Sequence, residues 1–118
     1  MNRLPRNQIL LGDALQTLRT LPGASVDQVI TSPPYFRLRD YQVPGQLGLE
    51  ASVEEWVANL LAVIRECGRV LVPTGTLWLN LGDTYSTGPS NGAARKSLLL
   101  GPERLALALV KECWTLRN

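Results

Sequence analysis

Apolar positions along this chain recur in two patterns, short continuous runs and longer stretches at helical spacing. Ile9-Leu10-Leu11 is a short run closed by Gly12-Asp13 and predicts a buried strand. Asp13 then stands where an N-cap belongs, ahead of a short helix through Ala14-Leu15-Gln16-Thr17-Leu18 that Pro22-Gly23 stops. Val26 to Thr31 predicts a second strand, and a Gly- and Pro-containing loop follows from Phe36 to about Glu50. Ser52 and Glu55 form a capping-box pattern. Behind it Val53, Trp56, Val57, Leu60, Leu61, Ile64, Cys67 and Leu71 repeat at helical spacing until Pro73 and Gly75 end the unit. Thr76 to Leu81 predicts a third strand, closed by Gly82-Asp83. Thr84 to Ser97, rich in Gly, Ser, Asn and Ala, predicts a mobile surface loop. Pro102 opens a last helix carried by Leu105 to Val110, and Cys113 to Arg117 resembles the opening of another strand. Strands alternating with helices predict an α/β fold with a mostly parallel sheet and flanking helices.

In such sheets ligands gather at the carboxyl ends of the strands. Three predicted strand ends carry polar groups: Gly12-Asp13, Thr31-Ser32-Pro33-Pro34-Tyr35 and Gly82-Asp83. The middle one is the most informative. Each proline fixes φ near −65° and lacks an N–H, and Pro33 pushes Ser32 out of the helical region. A stiff, extended turn results, with carbonyls free to accept hydrogen bonds. A hydroxyl, such carbonyls and an aromatic ring together make a small receptor for a planar amine. Alone, Ser-Pro-Pro could equally be loop punctuation, Asp13 a plain N-cap and Asp83 a turn residue. Their convergence at three strand ends favours a site.

Composition narrows the chemistry. With 118 residues, 45% hydrophobic and 19% charged, the chain is one ordinary small domain. A net charge of +2 is compatible with nucleic acid without being diagnostic. Arg37 and Arg39 stand out only because they follow the Pro-Pro turn. The chain holds no histidine, which excludes a Ser-His-Asp triad and any His-containing metal site within it. Cys67 and Cys113 lack local partners and read as reduced core residues. No metal, signal peptide or membrane-spanning segment is expected, and the cytoplasm is the expected compartment. The stretch Gly88 to Ser97 has Arg95, not glycine, before Lys96-Ser97 and is no phosphate loop.

Taken in order, Leu11-Gly12-Asp13-Ala14-Leu15, Leu21 to Asp27, Thr31-Ser32-Pro33-Pro34-Tyr35, Leu38-Arg39-Asp40-Tyr41, Gly45 to Glu50 and Gly75 to Tyr85 resemble a bacterial or phage DNA amino-methyltransferase of the permuted β group. The similarity spans nearly the whole chain. It implies part of an S-adenosylmethionine-dependent, Rossmann-like fold, and DNA as partner in a bacterial, archaeal or phage setting. It further implies that Ser32, Pro33, Pro34 and Tyr35 hold a base flipped from the duplex. Ser32 Oγ and the Pro33 carbonyl would accept from its exocyclic amine, Pro34 would keep the turn rigid, and Tyr35 would stack on the ring with help from Phe36. Asp13, with Thr31, is implied at the cofactor; Arg37, Arg39, Asp83 and Tyr85 are implied at the base or DNA. Serine in the first motif position leans towards cytosine N4 over adenine N6.

The family's Phe-x-Gly-x-Gly cofactor loop and its target-recognition region have no counterpart here. The chain therefore reads as a catalytic-motif half, spanning 1–118, inactive alone and completed by a complementary chain or as a homodimer. Two alternatives stand beside this reading: a non-catalytic remnant or interaction module, and an RNA or protein methyltransferase of the same chemistry.

Overall fold

The computed structural model describes residues 4–118. Its elements are α1 (Ala14–Arg19), β1 (Val26–Thr31), α2 (Val53–Val70), β2 (Leu71–Leu79), a short 3-10 turn (Pro89–Asn91) and α3 (Gly101–Lys111). β1 and β2 form a parallel pair, with α2 in the connection between them; parallel neighbours require such a crossover. The chain divides into two compact units. One holds the residues up to Thr31 with Ala62–Leu79, the other Ser32–Leu61 with Asn80–Asn118.

The first unit carries the sheet. Asp13 caps α1, its Oδ2 accepting from Gln16 N at 3.0 Å. The other end of α1 is held by Arg69, whose Nη2 donates to Leu18 O and Leu21 O at 2.9 Å each. This satisfies carbonyls that a helix end leaves without partners. In the sheet, Val29, Ile30 and Thr31 face Leu77, Trp78 and Leu79. Between Val26 and Gln28, β1 advances by two residues while β2 advances by five, from Leu71 to Thr76. Pro73 and Gly75 lie in this bulge. Pro73 has no N–H to offer a ladder, and a Cβ on Gly75 would stand 2.8 Å from Leu71 Cδ2 and 3.1 Å from Asp27 O.

From sequence, those two residues end a helical unit. Instead Leu71 already belongs to β2, and the strand runs Leu71–Leu79 rather than Thr76 to Leu81. A bulge admits both residues without ending the strand. The predicted strand at Ile9-Leu10-Leu11 is not formed: Ile9 is 97% and Leu11 100% exposed. A strand needs a partner ladder, and no described residue pairs with this segment.

The second unit has the denser interior. Val53, Trp56 and Leu60 on α2 are buried with Phe36, Leu99 and Leu105. The capping box forms with a one-residue offset: Ser52 Oγ accepts from Glu55 N at 3.2 Å, and Glu55 Oε2 accepts from Ala51 N rather than Ser52 N at 3.3 Å. The stretch Thr84 to Ser97 is a pinned loop, contrary to the mobile one expected. Ser86 and Asn91 are buried. Asn91 Oδ1 accepts from both Thr87 N and Thr87 Oγ1, and its amide donates to Ala51 O. Arg104 closes the loop through Leu99 O, Gly92 O and the Glu54 carboxylate. Small polar residues, read as mobile from composition, act here as internal hydrogen-bonding partners.

The end of the chain also differs from expectation. Cys113 to Arg117 is not a strand, because Cys113 N and Trp114 N donate back to Val110 O and Leu109 O and close α3. Cys113 adopts φ 69° and is exposed, so only Cys67 is a core thiol.

Candidate functional site

The second unit contains a cavity of about 280 Å³ whose walls come from two short stretches. Ser32, Pro33, Pro34 and Tyr35 line it together with Leu38, Arg39 and Tyr41. The turn is held from behind by Trp56, a fully buried residue whose Nε1 donates to Pro34 O at 2.9 Å. That bond removes one carbonyl of the turn from use. Ser32 Oγ and the Pro33 carbonyl make no hydrogen bond with any described residue, and Ser32 is exposed. Two acceptors are thus left unspent in residues that line the cavity.

Two glycines let neighbouring chain approach the turn. A Cβ on Gly82 would lie 2.7 Å from Tyr35 Cε2, so the tyrosine ring rests directly on the Gly82 backbone. Gly48 has φ +107°, and a Cβ there would meet Pro34 Cβ and Tyr35 O at 3.1 Å; this backbone conformation favours glycine. The Gly48 carbonyl accepts from Arg37 N at 2.6 Å, and its N–H donates to Glu50 Oε1 at 2.6 Å.

The second lining stretch is organised by one side chain. Gln46 Oε1 accepts from Tyr41 N at 2.6 Å, and Gln46 Nε2 donates to Arg39 O at 3.0 Å. The amide thereby clips the segment Arg39 to Tyr41 at both ends.

The residues singled out from sequence fall into distinct places. Ser32, Pro33, Pro34, Tyr35 and Arg39 line the cavity together. Phe36 does not join them: it is 3% exposed and meets Trp56 edge-on with ring centroids 6.4 Å apart, so it is a core residue with no face for a base. Arg37 braces the loop, its Nη1 donating to Glu50 O at 3.1 Å. Asp83 caps α3 from a distance, with Oδ2 accepting from Leu100 N at 2.9 Å and Oδ1 from Gly101 N at 3.3 Å. Leu100 itself, at φ 56°, offers the helix no side-chain cap. Tyr85 is exposed and bridges Leu98 through the backbone. Asp13 and Thr31 belong to the first unit, Asp13 at the start of α1 and Thr31 opposite Leu79 at the end of β1; both are exposed.

Sequence reasoning gave no site role to Trp56, Gln46 or Gly48, and placed Gly82 only as part of a strand end at the site. Trp56 looked like any apolar helix position, and a lone glutamine in a loop carries no signal. The two glycines were visible, but what they approach was not.

Cys67 offers no nucleophile, since burial pushes its thiol above the ordinary range, with a smaller push from the Glu66 carboxylate. Among the described residues no cluster of His, Cys, Asp and Glu could hold a metal ion. No described helix is long and apolar enough to cross a membrane.

Residues 26–118 match the N6/N4 family of DNA methylases. The chain belongs to this family. It is 42% identical to the type II methyltransferase M.SfiI of Streptomyces fimbriatus, over 97% of this chain and 29% of that protein. It is 39% identical to M.Cfr9I of Citrobacter freundii, over 91% of this chain and 43% of that protein. The chain therefore spans less than half the length of these relatives. Among solved structures, a protein of Thermus thermophilus assigned as a DNA modification methylase, in complex with S-adenosyl-L-methionine, superposes with a TM-score of 0.63 at 34% identity. That match covers 86% of this chain and 38% of the other. The cytosine-N4-specific PvuII DNA methyltransferase shares the fold, with a TM-score of 0.65 at 24% identity over 86% of this chain and 32% of its own. The expected partial methyltransferase fold, with its parallel strands, is the fold observed.

Proposed function

We propose that this chain is the base-receiving part of a DNA amino-methyltransferase that acts on the exocyclic amine of a flipped base, cytosine N4 in preference to adenine N6. The observation that carries this reading is that Ser32 Oγ and Pro33 O stay unpaired in residues lining the cavity with Tyr35, while Trp56 occupies Pro34 O. An exocyclic amine is a weak nucleophile because its lone pair is conjugated into the ring. Two acceptors that take both N–H groups draw the nitrogen towards tetrahedral geometry and release that lone pair for attack. Charge developing on the nitrogen is stabilised by the same fixed dipoles. Tyr35, backed by Gly82, offers its ring to the base.

S-adenosylmethionine, when bound, supplies a sulfonium methyl as electrophile. Asp13 and Thr31 suit its adenine end in chemistry: one Asp13 oxygen is occupied by Gln16 N, while the second carries no hydrogen bond among the described residues and can accept from an amine. The family and the cofactor-bound relative support S-adenosylmethionine as the methyl donor.

Full activity is expected of a longer or completed assembly. Ile30 and Trp78 face each other across the sheet at 74% and 53% exposure, and Ile9 and Leu11 are bare. Apolar surface of this kind supports cover by a complementary polypeptide, a second copy being the other outcome. An RNA target is a weaker reading, because the named type II relatives are enzymes of the DNA methylase family.

The test is methyl transfer to DNA with and without added complementary polypeptide, followed by nucleoside analysis. The expected product is N4-methylcytosine in the completed assembly, lost in Ser32→Ala. Sequence-specific methylation by the 118-residue chain alone would overturn the split reading, and N6-methyladenine would overturn the cytosine preference.

A further inference from the structure

Two arginines follow the Pro-Pro turn, and nothing in the local sequence ranks them. Their surroundings do. Arg37 is spent on the loop: its backbone N–H goes to Gly48 O and its Nη1 to Glu50 O. The Arg39 side chain makes neither a hydrogen bond nor an ion pair with any described residue. The adjacent acid does not pair with it: Asp40 Oδ1 accepts from Gln42 N, and no ion pair joins Asp40 to Arg39. Arg39 is also the one charged residue among those lining the cavity. Its position is fixed through the main chain rather than through its charge, by the Gln46 clip on Arg39 O and Tyr41 N.

The two lining stretches therefore differ in chemistry. The turn presents acceptors, which suit an amine and repel an anion. The second lining stretch carries an unspent guanidinium, the group best shaped to hold two oxygens of a phosphate. Resting on the base-receiving role proposed above, we infer that Arg39 is a phosphate-binding residue of this cavity and Gln46 its positioning residue. The cavity then recognises a nucleotide, base and phosphate together, rather than a base alone. The phosphate meant is that of the nucleotide whose base enters the cavity.

The experiment compares three ligands on the 15N-labelled chain by NMR titration: deoxycytidine, its 5′-monophosphate and its 3′-monophosphate. One monophosphate is expected to bind about five- to tenfold tighter than the nucleoside at low salt, the scale of a charge-assisted contact at an open site. Added salt should shrink that advantage. Arg39→Gln should abolish it, so that the monophosphate binds that variant no tighter than deoxycytidine does, while Arg39→Lys should keep part of it. Gln46→Ala should lower the ratio of monophosphate to nucleoside affinity, a change of ratio that a merely structural role would not produce. If neither monophosphate outbinds deoxycytidine, or if Arg39→Gln retains the advantage, the phosphate assignment is overturned and the amine-receptor reading stands. Failure of deoxycytidine itself to bind at millimolar concentration would overturn both.

Discussion

The two units of this chain differ in how their loops and sheet surface are held, although each buries some apolar residues and exposes others. The unit of the Pro-Pro turn buries Phe36, Trp56, Leu60, Leu99 and Leu105 and ties its long loops with side-chain hydrogen bonds. The sheet unit leaves Ile30 and Trp78 open on one face, and Ile9 and Leu11 fully open. A region that must place two acceptors accurately gains from a dense, bonded surround. A region with bare apolar strands has surface suited to a further layer of polypeptide. Within one short chain, then, the candidate site lies in the unit tied by side-chain hydrogen bonds, and the sheet keeps open apolar surface.

The largest effect expected from this contrast is at Trp56. Trp56→Ala should cost about 3–5 kcal/mol in chemical denaturation. Trp56→Phe keeps most of the packing but leaves Pro34 O without its donor, which should cost about 1–3 kcal/mol. A smaller loss for both would mean that the turn unit is not the well-packed one. Gly82→Ala comes next, because its methyl must displace the Tyr35 ring. Overpacking of this kind costs about 1–3 kcal/mol, and nucleoside binding should fall with it.

On the sheet, by contrast, Ile30→Thr and Trp78→Ser should each change stability by no more than about 0.5 kcal/mol and should lower self-association in sedimentation. A large stability loss there would show that the face is covered within the chain. The smallest effect is chemical. Cys113 should react with a maleimide in the native protein, and Cys67 only after unfolding, because it is buried with its thiol shifted up.

Much of this was readable from sequence where a local rule had no competitor. Asp13 before α1, Ser52 and Glu55 before α2, and Pro102 in the first turn of α3 mark helix starts as the capping rules say. Pro73 and Gly75 misled, since breakers of a helix can equally be the contents of a bulge. Ile9-Leu10-Leu11 shows that a strand-like run is only half of a strand until a partner ladder exists. In the site, the turn residues were legible because proline restricts the backbone by covalent structure. Phe36 was misplaced because an aromatic next to a site and an aromatic in a core have the same letter. Gln46 and Trp56 act through contacts over 5 and 22 residues of chain, which no local pattern encodes.

The central claim, that Ser32 and Pro33 receive an exocyclic amine, is tested most directly by exchanging that amine for a carbonyl. Deoxycytidine and deoxyuridine differ at this position on the ring. In NMR titrations deoxycytidine should shift the amides of Ser32, Tyr35 and Arg39, and deoxyuridine should bind at least about tenfold more weakly, since a carbonyl faces two acceptors with no proton to share. Equal binding of the two nucleosides, or an unchanged preference in Ser32→Ala, would contradict the account.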